Sequence, residues 1–358
     1  MTTPLRRADA VEAALEERGA DALLVTDLAN VRWLTGFSGS NAAALVGPEG
    51  TRTFLTDFRY LTQSAAEVDA AWERRIAPDL LARAAEDAAG VARLGFEDQH
   101  LSVRDHGRLA ELLDEAELVP CGGLVEGLRA RKDEEEVERI RAAAAVADEA
   151  FEEVLAEGLV GRTEREVALA LELAMRRRGA SGPSFPPIVA AGPHGAQPHA
   201  RPRDVPIPAG TLVVIDWGAQ LDGYASDCTR TIATGALDPR DRQVYDVVLR
   251  AQEAALEAVR PGPTGREVDA VARGIIERAG HAEHFGHGLG HGVGLEVHEG
   301  PRLSQRSDTA LEAGMVVTVE PGVYVPGAVG VRIEDLVVVG EDGPVVLTHT
   351  PKALRTAA

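Results

Sequence analysis

The sequence predicts a mixed α/β protein of two domains, the second of which is an internal duplication. Three observations predict this fold class. A chain of 358 residues is long enough for two domains or one large one. Apolar runs of strand length alternate with amphipathic stretches of helical length, which is typical of α/β domains. Three segments of the second half also recur in the same order, so a duplicated unit is expected there.

The first domain, residues 1–124, is predicted to be a compact α/β unit. Short apolar runs predict four strands, at residues 22–26, 42–46, 51–56 and 93–97. Amphipathic stretches predict three helices, around residues 8–18, 77–89 and 103–115. A Gly-Pro-Glu-Gly turn at residues 47–50 predicts a hairpin that joins the second and third strands.

The second domain, residues 125–358, is predicted to begin with a long helix. A charged segment at residues 129–141 opens it, and apolar residues recur at spacings of three and four from Val137 to Val154. Asp133 is followed three residues later by Glu136, a pair that predicts a capped helix start.

The duplication is the strongest architectural signal in the second domain. The recurring segments are 161–167 with 262–268, 209–218 with 313–322, and 223–227 with 330–334. The first pair carries a Thr three residues before a Glu in both copies, which predicts two capped helices. The other two pairs align Asp216 with Glu320 and Asp227 with Glu334. A unit duplicated about a pseudo-two-fold axis would therefore bring four carboxylates together.

Five residues predict a site for two divalent cations: Asp216, Asp227, His291, Glu320 and Glu334. Each lies in a strand-like or Gly-rich segment, where burial of a lone charge is costly. Four carboxylates and one imidazole are the ligands that Mn²⁺, Co²⁺ or Zn²⁺ ions bind. The alternative is solvated acids at strand ends, which would have no reason to follow an internal repeat. The sequence therefore predicts a two-metal hydrolase.

Strand alternation assigns the neighbours of two of these acids. Thr229 is expected on the same face as Asp227, whereas Cys228 points the other way and is predicted to be a packed thiol. Arg332 is expected on the same face as Glu334, and to keep that carboxylate ionised.

Composition and charge exclude several other classes of protein. The net charge of −20 argues against nucleic acid or an anionic membrane as a partner. The N-terminus does not resemble a signal peptide, and no run approaches the ~20 apolar residues of a membrane span. The two cysteines, Cys121 and Cys228, form no disulfide framework. A cytoplasmic, reduced protein is expected. Neither a phosphate-binding Gly-Lys-Ser/Thr loop nor a His-Glu-x-x-His motif is present.

The motifs around the five residues resemble those of the pita-bread metallopeptidases. The resemblance rests on Asp216 and Asp227 with ten residues between them, on Gly-His291-Gly-x-Gly-Leu-x-x-His-Glu, on Val-Glu320-Pro-Gly and on Arg-Ile-Glu334-Asp. It implies a pita-bread catalytic domain over residues 125–358.

Two further regions are similar to the Xaa-Pro peptidase branch of that family. Residues 184–192, followed by Pro-His199-Ala, resemble its proline-directed members. Residues 30–41 and 56–60 resemble the creatinase-type N-terminal domain of bacterial Xaa-Pro peptidases. A creatinase-like domain is therefore expected over residues 1–124.

The resemblance implies a role for each metal ligand. Asp216 would bind one ion, His291 and Glu320 would bind the other, and Asp227 and Glu334 would bridge them. The expected cofactor is two Mn²⁺ ions, with Co²⁺ or Zn²⁺ as alternatives. Glu320 would also move a proton to the departing proline nitrogen.

The resemblance also implies a substrate side of the site. His199 and His298 would hydrogen-bond the substrate and stabilise the tetrahedral intermediate, although either could be a packed or surface histidine. Phe185 is expected to contact the proline ring, with core packing as the alternative. Arg302 is predicted to hold the carboxylate of a dipeptide unless it is merely solvated. Arg332 is also predicted to belong to the substrate-binding side of the site.

The predicted function is an Xaa-Pro aminopeptidase that acts on peptides with proline at the second position. The Gly-Phe-Ser-Gly-Ser-Asn run at residues 36–41 favours that activity, whereas Arg302 would favour an Xaa-Pro dipeptidase. A third possibility is a catalytically inactive binding protein. A homodimer is expected, with Asp57, Arg59 and Tyr60 either bordering a neighbouring site or forming a polar cluster within their own domain.

Overall fold

The computed structural model describes residues 3–357 and divides the chain into two compact units. The first unit ends at Arg129 and the second begins at Ala130. Both combine helices with β-sheet, which confirms the predicted mixed α/β class. No helix among the described residues is long and apolar enough to cross a bilayer.

The described part of the first unit contains six strands on which helices pack. The strands are β1 (Ala22–Val25), β2 (Ala42–Val46), β3 (Arg52–Thr56), β4 (Glu73–Ile76), β5 (Arg93–Phe96) and β6 (Glu117–Pro120). The helices are α1 (Thr3–Arg18), α2 (Leu28–Thr35), α3 (Leu61–Glu67), α4 (Leu80–Asp87), α5 (Val103–Leu112) and α6 (Leu124–Arg129).

These strands form one mixed sheet in the order β4-β3-β2-β1-β5-β6. The four predicted strands are its four inner strands, and the predicted hairpin is confirmed by antiparallel pairing of β2 with β3, Val46 opposite Arg52. The two outer strands were not predicted. The sequence of β4 is Glu-Arg-Arg-Ile and largely exposed, so an edge strand of this kind lacks the apolar signal of a buried one.

The described part of the second unit contains four helices and thirteen strands. The helices are α7 (Glu134–Ala156), α8 (Glu164–Arg177), α9 (Pro239–Ala258) and α10 (Gly265–Arg278). The first seven strands are β7 (Gly182–Pro183), β8 (Ile188–Ala191), β9 (Leu212–Trp217), β10 (Ala219–Leu221), β11 (Tyr224–Ala225), β12 (Cys228–Ala233) and β13 (Gly290–Gly292). The remaining strands are β14 (Glu299–Leu303), β15 (Val316–Val319), β16 (Gly322–Val325), β17 (Val329–Arg332), β18 (Asp335–Gly340) and β19 (Gly343–Val346).

The duplication is visible in the order of these elements. In the first half α7 packs on α8, and β9 runs antiparallel between β8 and β12. In the second half α9 packs on α10, and β15 runs antiparallel between β13 and β18. The predicted capping boxes are present at Thr163 with Glu166 and at Thr264 with Glu267. Asp133 with Glu136 caps α7, which begins at Glu134.

Strand β9 is fixed from behind by an aromatic contact. The ring of Trp217 stacks on Phe151 of α7 with centroids 4.0 Å apart, and its indole N–H donates to the Ala147 carbonyl at 2.8 Å. A buried aromatic of this size typically costs ~3–5 kcal/mol to truncate. The position of Asp216, the preceding residue, is therefore set by core packing.

Candidate active site

The five residues predicted as metal ligands meet where strands of the two halves begin or end. Asp216 lies near the end of β9, and Asp227 directly precedes β12. Glu320 directly follows β15, Glu334 directly precedes β18, and His291 is the central residue of β13. The duplicated strands thus deliver the four acids in equivalent pairs.

Three of the carboxylates form a compact group. Asp216, Asp227 and Glu334 each offer an oxygen, and these oxygens lie within 4.8 Å of one another. The Nε2 atom of His291 lies 3.3 Å from Glu320 Oε1 and 3.7 Å from Asp227 Oδ2. All five residues therefore belong to one cluster.

The acids of this cluster do not ionise alike. Burial, reinforced by the neighbouring acids, raises the pKa of Asp227 and of Glu334 well above the usual range. Burial also raises the pKa of Asp216, although Arg332 opposes the shift. For Glu320 burial acts in the same direction, but the hydrogen bond and charge of His291 outweigh it and hold the pKa at about 2. Without a cation, so many buried charges would be mutually repulsive.

The donor atoms of the cluster fit divalent cations. Asp216 Oδ1 and Glu334 Oε1 are buried and have no hydrogen-bond partner within residues 3–357. Orphaned acceptors of this kind are costly unless a ligand or ion completes them. Nδ1 of His291 donates to the Gly292 carbonyl at 3.1 Å, so Nε2 is the ring atom directed at the acids. A histidine held by its other nitrogen is typical of metal sites.

Arg332 is the buried counter-charge of the cluster, but its partner differs from the predicted one. Its guanidinium forms an ion pair with Asp216, with side chains 4% and 12% exposed. It reaches Glu334 only through Thr229, which accepts from Arg332 Nε at 3.0 Å and donates to Glu334 Oε2 at 2.7 Å. The charge of Arg332 lowers the pKa of Glu334, which is the expected direction, although burial outweighs this effect in the protein without metal.

Two residues next to Arg332 were not singled out from the sequence. Arg332 donates to the hydroxyl of Tyr324 at 2.8 Å, and this hydroxyl lies 3.0 Å from His287 Nε2. His287 uses Nδ1 to donate to the Gly288 carbonyl, and burial lowers its pKa, so Tyr324 donates to a neutral Nε2. Burial raises the pKa of Tyr324 to about 12. The sequence signal for His287 was its place in the Gly-rich residues 284–299, which contain several histidines.

The predicted substrate residues line one cavity of about 530 Å³ that opens onto the cluster. This volume is within the usual ~300–1,000 Å³ of small-molecule sites. Phe185, His199, His298 and Arg302 all contribute to its wall, as does Arg332. The structure therefore brings every predicted site residue together.

The substrate-side residues differ in how they are held. The ring of His298 packs edge-on against His291 with centroids 4.3 Å apart. Burial lowers the pKa of His298, and the positive charges of His291 and Arg302 lower it further. Arg302 is exposed on β14, opposite His291 in the strand register. Among the described residues its side chain has no ion pair or hydrogen-bond partner. Phe185 is half-buried and precedes two prolines that also line the cavity.

Cys228 lies behind the cluster, as predicted. Its side chain belongs to the same buried apolar cluster as Trp217 and Phe151, and burial raises its pKa well above the usual range. A thiol that is hard to ionise is a poor metal ligand.

Profiles of two known protein families match most of the chain. Residues 138–341 match the profile described as "Metallopeptidase family M24", and residues 7–131 match that of the creatinase/prolidase N-terminal domain. The chain is 37% identical over 344 residues to the Xaa-Pro dipeptidase of Pyrococcus horikoshii, covering 95% of this chain and 96% of the relative.

Two solved structures are similar over nearly the whole chain. One is an Xaa-Pro dipeptidase from Bacillus anthracis, with a TM-score of 0.95, 39% identity and 99% of both chains covered. The other is an X-Pro aminopeptidase from Thermotoga maritima, with a TM-score of 0.89, 35% identity, and coverage of 96% of this chain and 100% of the other. The predicted creatinase-type and pita-bread folds are confirmed.

Proposed function

The chain belongs to metallopeptidase family M24, and on that premise we propose that it is an Xaa-Pro dipeptidase that uses two divalent cations. The observation that carries the proposal is the cavity described above, whose wall includes both the acid cluster and Arg302, a side chain with no ion-pair partner within residues 3–357. The cluster supplies a place for hydrolysis, and Arg302 supplies a charge complementary to the carboxylate of a dipeptide.

Asp216, Asp227, His291, Glu320 and Glu334 would hold the cations, for which Mn²⁺ is our first choice and Co²⁺ or Zn²⁺ the alternatives. Such ions supply Lewis-acid chemistry, polarising a carbonyl and making water nucleophilic near neutral pH. Their charge would also remove the repulsion among the acids.

The remaining chemistry belongs to side chains of the cavity. Glu320 would accept a proton from the attacking water and pass it to the proline nitrogen. His199 and His298 donate hydrogen bonds to the oxygen of the scissile carbonyl as negative charge develops there. Phe185 packs against the proline ring. An Xaa-Pro amide has no N–H, so recognition must come from such contacts around the bond.

Arg302 would decide which chain ends are accepted. A dipeptide ends at proline, and its carboxylate would pair with the Arg302 guanidinium; a longer peptide has an uncharged amide there. Hydrogen bonds to a charged group are typically worth ~1.5–3 kcal/mol, which corresponds to roughly 10- to 150-fold in affinity.

The test compares hydrolysis of Gly-Pro and Gly-Pro-Gly by the Mn²⁺-loaded protein and two variants. We expect Gly-Pro to be cleaved and Gly-Pro-Gly to be spared, and Arg302→Ala to raise KM for Gly-Pro at least tenfold. Arg201→Ala is the matched control, because Arg201 is also an exposed arginine of the cavity wall. Equal effects of the two variants would contradict the carboxylate role of Arg302.

The second candidate is the Xaa-Pro aminopeptidase predicted from the sequence. The similarity to the T. maritima X-Pro aminopeptidase and the motif at residues 36–41 support it. Cleavage of Gly-Pro-Gly but not Gly-Pro, with no effect of Arg302→Ala, would identify this activity. Cleavage of neither peptide by metal-loaded protein would leave the inactive binding protein.

We also propose a cytoplasmic homodimer. In the first unit Asp57 accepts from Asn41 Nδ2 and pairs with Arg59 at 2.7 Å, so these residues form a polar cluster within their own domain. The exposed Phe58 beside them is 80% accessible and is a candidate for subunit contact. Light scattering of the purified protein, with Phe58→Ser as the variant, tests the dimer.

A further inference from the structure

One buried acid outside the five-residue cluster, Glu164, binds both ends of one loop. Glu164 is the first residue of α8 and is 1% exposed. Its carboxylate accepts from the backbone N–H of Ala191 at 3.0 Å and from that of Arg203 at 3.0 Å. It also contacts His194 Nδ1 at 3.0 Å and accepts from the Arg203 guanidinium at 3.0 and 2.9 Å. One carboxylate thus joins the start, the first turn and the end of the segment 191–203.

This segment carries His199 and passes close to the five-residue cluster. Gly195 packs so tightly on β17 that a Cβ placed on Gly330 would lie 1.7 Å from the Gly195 carbonyl oxygen. The carbonyl of Pro198 accepts from Arg332 Nη1 at 3.1 Å. His199 itself is exposed to the cavity and has no hydrogen-bond partner of its own among the described residues. Its position therefore depends on the path of the segment.

In the second half of the duplication, the corresponding loop is held against the start of α10 in a different way. At the start of α8 the amides of residues 164 and 165 donate to the carbonyls of 205 and 203; at the start of α10 the amides of 265 and 266 donate to those of 309 and 307. These matching bonds make Gly265 the counterpart of Glu164. A Cβ on Gly265 would lie 2.1 Å from the Arg302 carbonyl oxygen, so here the strand that leads away from His298 rests directly on the helix. In the first half, by contrast, the Glu164 side chain spans the distance between the start of α8 and segment 191–203.

We propose that Glu164 is a positioning residue that holds His199 at the scissile bond by fixing both ends of segment 191–203. This inference rests on the proposed function, in which His199 stabilises developing charge. A carboxylate is required because every group around it donates: two amide N–H groups, an imidazole N–H and a guanidinium. An amide in its place would turn a donor towards those donors, and the segment would lose its common anchor.

The decisive variant is Glu164→Gln, which keeps shape but removes the charge and one acceptor. We expect kcat for Gly-Pro to fall 10- to 100-fold with KM changed less than threefold, because His199 acts on the transition state more than on the bound substrate. Mn²⁺ stoichiometry by calorimetry is expected to stay unchanged. Glu166→Gln is the matched control, since Glu166 lies in the same helical turn, is exposed, and hydrogen-bonds with Thr163 of the cap.

A double-mutant cycle separates positioning from general destabilisation. If Glu164 acts through His199, Glu164→Gln reduces kcat less than twofold in a His199→Ala background. An equal reduction in both backgrounds overturns the proposal. Arg203→Ala serves if Glu164→Gln fails to fold, because the Arg203 side chain is 47% exposed and supplies two of the bonds. It is expected to show a smaller loss of kcat with the same pattern.

Amide hydrogen exchange tests, without using activity, whether Glu164 fixes both ends of segment 191–203, an interaction that we call the Glu164 clamp. Glu164→Gln is expected to speed exchange at least tenfold within residues 191–203 and to leave residues 299–309 unchanged. If the wild type cleaves neither peptide, the proposed function fails while faster exchange in this segment still supports the clamp. Unchanged exchange in the segment overturns the clamp whatever the activity.

Discussion

Replacement of Arg332 by Met should destabilise the metal-free protein far more than the metal-loaded one. Arg332 is buried, and its guanidinium donates to Asp216 Oδ2, Tyr324 Oη, Thr229 Oγ1 and the Pro198 carbonyl. Met retains much of the apolar stem but offers no charge and no donor. Without metal, the variant would leave the buried acids with their principal internal counter-charge removed.

The size of the loss follows from the burial of the Arg332–Asp216 pair, whose side chains are 4% and 12% exposed. Removal of one partner of a buried ion pair typically costs ~3–5 kcal/mol. At ~2–4 °C per kcal/mol for a unit of this size, the midpoint of thermal unfolding should fall by roughly 6–20 °C in chelator. With two divalent cations present, the acids are neutralised and less than half of this shift should remain.

The assay is thermal unfolding of wild type and variant in chelator and in excess Mn²⁺. Arg52→Met is the matched control: the buried Arg52 of the first unit pairs with Asp9 at 2.9 Å and with Glu12 at 2.7 Å, and its side chain is 4% exposed. Its cost should be the same with and without Mn²⁺. A loss below about 1 kcal/mol for Arg332→Met in chelator, or equal metal dependence of the two variants, would refute the electrostatic account.

Three further outcomes are expected. In chelator, the raised pKa of Asp227 makes its contribution to stability complete at low pH, and this contribution is lost as pH rises from the unfolded pKa of ~3.9 through the folded pKa. The free energy of unfolding of Asp227→Asn, measured by urea titration, should therefore increase relative to that of the wild type as pH rises. A difference that stays constant with pH would contradict this. Gly290→Ala should cost about 3 kcal/mol and weaken Mn²⁺ binding, because the new Cβ would lie 2.0 Å from the Thr318 carbonyl oxygen; calorimetry showing wild-type affinity would be inconsistent with that contact. Cys228→Ala should lower the free energy of unfolding by about 1–2 kcal/mol and leave Mn²⁺ stoichiometry unchanged, whereas loss of an ion would make the thiol a ligand.

The sequence could predict the acid cluster because an internal repeat encodes it. Asp216 and Glu320 occupy the same place in two copies of one segment, so their alignment required no knowledge of tertiary structure. The helix starts at Thr163 and Thr264 were also predictable, since a capping box is a local signal within four residues.

What the sequence could not predict depends on contacts between distant segments. The choice of Asp216 rather than Glu334 as the direct partner of Arg332 is made across 116 residues, and the pairing of His287 with Tyr324 across 37. Glu164 in the sequence is only an acid in the first turn of a helix, where a favourable interaction with the helix dipole would explain it. The five N–H groups that donate to its carboxylate belong to residues 191–203, and only folding brings them to the start of the helix.

The most direct test of the central claim is hydrolysis of Gly-Pro by chelator-stripped protein during titration with Mn²⁺, with bound metal measured in parallel. The account predicts no cleavage without metal, activity that rises with Mn²⁺ and saturates at two ions per chain, and little cleavage of Gly-Leu, whose amide is secondary. Cleavage that persists in chelator, or two bound ions without cleavage of any Xaa-Pro peptide, would contradict it.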